Sequence, residues 1–408
     1  MILTLDLGTT VTKVGLWGTE GLVALAGTTL TTDHPAPGWS EQDPSAWWAS
    51  VVDACGRVRS LAPDGFAAVE VVGCTGARQT FAPVDGSGVP VGPGVLWSDR
   101  RATVEAQELA VDAGAVAAKI AWMSAHQPDR LEAASWLLAP RDLVVLRLTG
   151  VVATDPTMAS RSGLYDLEGR VVSALAGPAA SLLAPVVPSD RVTGAVTASS
   201  AAELGLTPGT PVVIGAGDRA CEVLGSGATE RCPMVSWGTT ANVSLPVTTR
   251  PDQPPGLVVS RAAAGGWLVE GGLSAAGSMV AWLGGLTSRV PGELAELARR
   301  SPPGSRGVVA TPWLDGARAP WWRHDAGAAF VGLSSAHDVA DLSRAVFEGV
   351  AWEVARCLGL MAARRPAGPP VEELTLAGAG ASTPVWSEVL TGITGLPARR
   401  RRSGQAAP

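Results

Sequence analysis

The chain has 408 residues, enough for a large core and for two domains rather than one. Hydrophobic residues make up 46% and charged residues 17%, as in a soluble globular protein, and the formal net charge of −6 speaks against a nucleic-acid partner held by phosphate neutralisation. The five cysteines (Cys55, Cys74, Cys221, Cys232 and Cys357) are odd in number and never spaced Cys-x-x-Cys, which favours reduced thiols in the cytoplasm over disulfides or a zinc site.

A strand is expected from Ile2, where a secretory leader would carry a basic region, so no leader is expected. The first 32 residues read as a three-strand meander, with turns at Gly8 to Thr10 and at Thr19-Glu20-Gly21. Pro44 to Leu61 reads as a helix, with Asp43 as N-cap and Pro44 at the first helical position. Val69 to Thr75 is a buried-type strand, Thr80 to Asp85 and Val95 to Trp97 are further strand pieces, and Arg101 to Leu148 reads as mostly helical. Val171 to Val187 is apolar but broken by Gly177, Pro178 and Pro185, so no membrane span is expected. Pro185 to Pro211 is rich in Pro, Ser and Thr and reads as lying in or near the passage between domains. The second half continues with strands at Gly266 to Glu270 and Leu374 to Ala377, and with helices at Ala275 to Leu286, Val339 to Ala363 and from Pro384.

Two turns echo each other. Asp6-Leu7-Gly8-Thr9-Thr10 follows an apolar strand, and Ser236-Trp237-Gly238-Thr239-Thr240 follows another. A Gly-freed turn with two hydroxyl residues presents N–H groups and hydroxyls suited to phosphate oxygens. Two such loops suggest a nucleotide held in a cleft between two related domains, an α/β duplication. A third element, Val212 to Asp218, is a buried-type strand that ends in glycines and a carboxylate able to point into that cleft.

These residues resemble the FGGY carbohydrate kinases, within them the xylulokinase-like branch. The resemblance runs up to about Leu396. It rests on Gly38-Trp39-Ser40-Glu41-Gln42-Asp43-Pro44, Leu96-Trp97-Ser98-Asp99-Arg100-Arg101, Thr154-Asp155, Gly215-Ala216-Gly217-Asp218, the Ser236 turn and Asp315-Gly316-Ala317-Arg318-Ala319-Pro320. It implies the actin, sugar kinase and Hsp70 type of fold: two ribonuclease H-like α/β domains around a central cleft. The domains are expected at 1–216 and 217–398, followed by a basic tail at 399–408.

The implied activity is ATP- and Mg2+-dependent phosphorylation of a sugar hydroxyl. By resemblance Asp218 is the catalytic base, and Asp6 and Asp218 organise Mg2+ through water. Gly8, Thr9, Thr10, Lys13, Gly238, Thr239 and Thr240 meet phosphate, and Gly378, Gly380 and Ala381 hold the adenosine. Arg78, Gln79, Trp97, Asp99, Arg100, Asp218 and Arg219 are expected on the acceptor side. The partner is a small sugar or polyol, with no nucleic acid and no membrane, and the family is often dimeric.

The chain departs from the xylulokinase pattern in two places. Xylulokinases usually read Gly-Gln-Met-His-Gly where this chain has Gly76-Ala77-Arg78-Gln79-Thr80, and glycerol kinases place an Arg and a Glu there. The acceptor therefore stays open between a ketose and a polyol. Arg78 is read either as a polyol ligand or as half of a surface ion pair, and Trp97 either as a sugar platform or as core. After the adenosine loop the family adds a strand and a small-residue helix, whereas this chain has Arg399 to Arg402 and a short tail. It is therefore identified as a C-terminally shortened member, with a relative that binds without turnover as the alternative.

Overall fold

A computed structural model describes residues 1–112, 114–323, 325–364 and 368–400. The chain divides into two compact units. The first holds Met1–Cys221 with Arg261–Ala264, and the second holds Glu222–Ser260 and the described residues from Gly265 onward.

The first unit is built on a six-stranded sheet. Strands β1 (Ile2–Leu7), β2 (Val11–Gly18) and β3 (Gly21–Thr29) form the expected antiparallel meander. β1 pairs in parallel with β4 (Val71–Gly76). An antiparallel strand β5 (Val192–Ala195) then lies beside β6 (Pro211–Gly217), which is parallel to β4. The order is β3-β2-β1-β4-β6-β5. Because β1 is central, Leu3, Leu5 and Leu7 are all buried. Helix α1 (Pro44–Leu61) packs Val51, Ala54 and Val58 into the same core, and Asp43 caps it by accepting from Ser45 N. Helix α2 (Pro140–Thr149) adds Val144, Val145 and Leu148. A short α3 (Pro156–Ser162) and α4 (Asp218–Gly225), which begins at the end of β6, complete the elements that frame the site.

The second unit repeats the plan. β7 (Met234–Trp237), β8 (Ala241–Val247), β9 (Val258–Arg261) and β10 (Trp267–Leu273) precede β11 (Leu374–Ala377) and β12 (Ala398–Arg399). The order is β9-β10-β8-β7-β11-β12. β7 is antiparallel to β8 and parallel to β11, as β1 is to β2 and β4. Helices α5 (Gly277–Thr287), α6 (Pro291–Arg300), α7 (Val339–Ala363) and α8 (Pro384–Thr394) surround a core that includes Val235, Leu294, Phe347 and Val389. No helix among the described residues is long and apolar enough to cross a membrane.

Two expectations change. The stretch from Arg101 to Leu148 is mostly helical, as expected, but within it Trp136–Leu138 is a strand paired with Ala82–Val84. Leu137 and Leu138 are buried, and the pairing supplies their backbone with partners. Pro185 to Pro211 is not a passage between units but belongs to the first, as β5 and a helix at Ala198–Leu204. Thr197 caps that helix, and Val196, Ala201 and Leu204 enter the core. Arg399, read as the start of the tail, lies in β12, where it pairs with Thr375; residues 401–408 of the expected tail lie outside the described residues.

Candidate functional site

In the first unit the ends of β1 and β6 carry the two key carboxylates. Asp6 closes β1 opposite Lys13 in the register of β2, and Lys13 Nζ stands 3.8 Å from Asp6 Oδ2. Asp6 is only 8% exposed, and its Oδ1 is buried without a hydrogen-bond partner. Burial pushes its carboxyl up to about 7, Lys13 pulls it down, and Asp218 pushes it further up. Asp218 is the first residue of α4 and is half-exposed, with Arg219 N donating to its Oδ1 at 2.6 Å. Arg78 Nε lies 3.6 Å from the same oxygen.

The turn after β1 is tied to Gln42 and Trp97. Thr9 O accepts from Gln42 Nε2 at 2.7 Å, and Thr9 Oγ1 accepts from Trp97 Nε1 at 3.0 Å. Trp97 is 37% exposed, so the ring is not core, and its indole is fixed against the first phosphate turn. Gln79 has φ +61, and its Oε1 accepts from Arg161 Nη2 at 3.2 Å. Lys119 went unnoticed within the helical stretch. Its buried Nζ donates to Leu96 O at 2.6 Å and to Gln79 O at 3.1 Å, clamping the two segments expected on the acceptor side. Burial lowers its ammonium to about 7, partly offset by Asp99.

Asp99, expected on the acceptor side, is tied into its own loop. It is wholly buried, and its oxygens accept from Ser40 N at 2.6 Å, Arg101 N at 3.0 Å and Arg101 Nε at 2.9 Å. Arg101 in turn stacks on Trp39, 3.8 Å from the ring centre. Asp99 therefore holds the loop together. Arg100 is exposed, and its Nη1 donates back to Trp97 O at 3.2 Å.

The second unit carries a cavity of about 530 Å³, within the range of small-molecule sites. One wall is the second phosphate turn, Gly238 and Thr239, and another is Ala379 and Gly380 after β11. The turn is docked on the start of α5: Ser278 N and Oγ both donate to Thr239 O at 3.0 Å, and Gly277 N donates to Gly238 O at 3.0 Å. Thr240 is exposed beside it. At Gly378, φ is +77 and a Cβ would come within 2.3 Å of Trp237 O, so only glycine lets the chain turn here. The floor is aromatic: Trp386 stacks on Trp237 with centroids 4.5 Å apart and receives the edge of Phe347 at 4.4 Å. Ala381, expected at the adenosine, is partly buried against the hydrophobic core.

Ser278, Gly292, Phe347 and Trp386 line this cavity and were missed by sequence reasoning. Ser278, Phe347 and Trp386 lie in largely apolar helices, which read as core, and Gly292 lies in the first turn of a charged helix. A Cβ on Gly292 would meet nothing within 4 Å. Gly292→Trp is therefore expected to fill the cavity without disturbing the fold. The KM for ATP should rise roughly tenfold or more, the equivalent of about 1.4 kcal/mol of binding, while the acceptor KM stays put. Steady-state kinetics at varied ATP checks this.

Residues 1–225 match the N-terminal domain, and residues 234–408 the C-terminal domain, of the FGGY family of carbohydrate kinases. The chain belongs to this family. It is 29% identical to the xylulose kinase of Escherichia coli over 434 residues, covering 100% of this chain and 88% of that protein. It is 28% identical to a glycerol kinase of an Acidovorax species, covering 98% of this chain and 86% of the other. The crystal structure of xylulose kinase from Rhodospirillum rubrum, 28% identical, gives a TM-score of 0.90 over 99% of this chain and 87% of that one. The expected two-domain sugar kinase fold is thus the one present, and the chain is a carbohydrate kinase of ATP-dependent type.

Proposed function

We propose that this kinase transfers the γ-phosphoryl group of ATP to a primary hydroxyl of a ketose or polyol, with Asp218 as general base. The observation that carries the reading is the half-exposed Asp218 carboxylate at the end of β6, beside the Arg78 guanidinium at 3.6 Å. A sugar hydroxyl is a poor nucleophile at neutral pH. As its oxygen attacks phosphorus, its proton passes to an Asp218 oxygen, the bond from the γ-phosphorus to the bridging oxygen breaks, and ADP leaves. Arg78, 3.6 Å from the Asp218 carboxylate, can donate to acceptor oxygens.

The nucleoside fits the second-unit cavity, whose aromatic floor and glycine-lined rim suit a flat base. No cluster of three or more metal-ligating side chains exists among the described residues. Mg2+ needs less, because it is commonly held by one or two carboxylates with phosphate and water. The partnerless Asp6 Oδ1 fits that demand, with Asp218 as the second carboxylate. When bound, Mg2+ would neutralise phosphate charge. Lys13, beside Asp6, adds a fixed positive charge at the same turn.

Arg78 and Gln79 stand where xylulokinases carry Met and His, and the relatives include both xylulose and glycerol kinases. Purified protein with ATP and Mg2+ is expected to release ADP with one member of a panel of ketoses, polyols and glycerol. A rate independent of every acceptor would overturn the proposal.

A further inference from the structure

Asp218 sits on an irregular strand end. The pairing of β6 with β4 shifts between Val213 and Ala216, and Gly215 adopts φ +71 with no room for a Cβ, which would lie 1.7 Å from Cys74 O. A bulge here re-aims the residues beyond it, Asp218 among them. Such a bulge leaves backbone groups that the sheet does not pair.

A buried polar set pairs them. Arg141 Nη1 donates to Ile214 O at 3.2 Å and to Gly215 O at 2.9 Å. Thr157 Oγ1 accepts from Gly217 N at 2.7 Å. Gly215 N donates to Ser189 O at 2.9 Å. All three gripping residues converge on one carboxylate. Asp155 accepts from Arg141 Nη2 at 2.9 Å, from Thr157 Oγ1 at 2.8 Å and from Ser189 Oγ at 2.7 Å. The Asp155 and Arg141 side chains are fully buried.

We propose that Asp155, acting through Arg141, Thr157 and Ser189, is the positioning hub that aims Asp218 at the acceptor hydroxyl. The proposal rests on the reading of Asp218 as base. Two observations carry it. Buried ion pairs seldom stabilise a fold more than apolar residues of the same volume, so stability alone is a poor account of this one. And each arm lands on the four residues before Asp218, not on the sheet at large. A proton acceptor must sit within hydrogen-bond reach of its hydroxyl, and a shift of about 1 Å can cost roughly 10²-fold in rate.

Thr157→Val removes the hydroxyl at nearly constant size, and Thr157→Ser keeps it. The valine variant is expected to lose roughly 10²-fold in kcat with the KM for ATP unchanged, and the serine variant to recover most of that. In an Asp218→Asn background, Thr157→Val should cost nothing more, because it acts through that carboxylate. An equal further loss there overturns the proposal. So does normal kcat in Thr157→Val when Asp218→Asn is inactive, and the base reading then survives. Normal turnover in Asp218→Asn instead defeats the base reading itself. Should Thr157→Val fail to fold by circular dichroism, Ser189→Ala unlinks one arm from Asp155 while leaving its carbonyl on Gly215 N. It must lower kcat several-fold at constant KM for ATP, and no change overturns the hub.

Discussion

Asp218→Asn is expected to lower kcat by roughly 10²–10⁴-fold, the usual worth of general-base help, while ATP binding survives. Asparagine keeps the shape and can still accept from Arg219 N, so the start of α4 is preserved. What disappears is a negative charge able to take a proton. The ion pair with Arg78 goes too, but at 3.6 Å, with Asp218 half-exposed, its loss should cost less than about 1 kcal/mol of stability. A thermal melt close to wild type, beside kinetics in both substrates, separates the chemical effect from a folding one. Turnover near normal would remove Asp218 from the mechanism. A large rise in the ATP KM would mean that the carboxylate serves nucleotide binding instead.

Much of the site's scaffold was written locally. Asp43 and Pro44 announce α1, and α1 begins there with the Asp43 side chain on Ser45 N. The two Gly-Thr-Thr turns follow strands of the same type and fall at equivalent places in the two sheets, between β1 and β2 and between β7 and β8. What stayed hidden depends on contacts distant in sequence. Asp99 sits beside Trp97 and Arg100 in a polar loop, and its partners include the amide of Ser40, 59 residues away. The cavity near Gly238 is assembled from α5, α6, α7 and α8, and none of these helices announces a ligand by itself. Pro185 to Pro211 has the composition of a linker, yet Thr197 and Val196 give it a cap and a core contact. Thr154 and Asp155 stood out as a motif without a role. The role needs Arg141 and the β6 bulge, which only the fold brings together.

Asp6→Asn is expected to cripple turnover and yet stabilise the fold at neutral and higher pH. The carboxyl is raised from 3.8 to about 7, chiefly by burial. Between those values the folded protein keeps a proton that the unfolded chain has shed. Folding then takes up a proton, so stability falls as pH rises from about 4 to about 7 and levels off above. At 1.36 kcal/mol per pH unit, the ceiling on that loss is about 4 kcal/mol. Asparagine cannot ionise, so the variant and the wild type should melt alike near pH 4 and diverge towards pH 8, the variant higher. Millimolar Mg2+ should raise the wild-type melt at pH 8 and leave Asp6→Asn unmoved, because a cation on Asp6 rewards the charged form that burial penalises. The same substitution should lower kcat by roughly 10²-fold or more, since it removes several kcal/mol of support for phosphate charge. The test is a set of metal-free and Mg2+ melts of both proteins across that pH range, with kinetics at the neutral end. Parallel pH profiles for the two proteins would show that the charge at Asp6 costs the fold nothing. Retained turnover would show that the metal is held elsewhere.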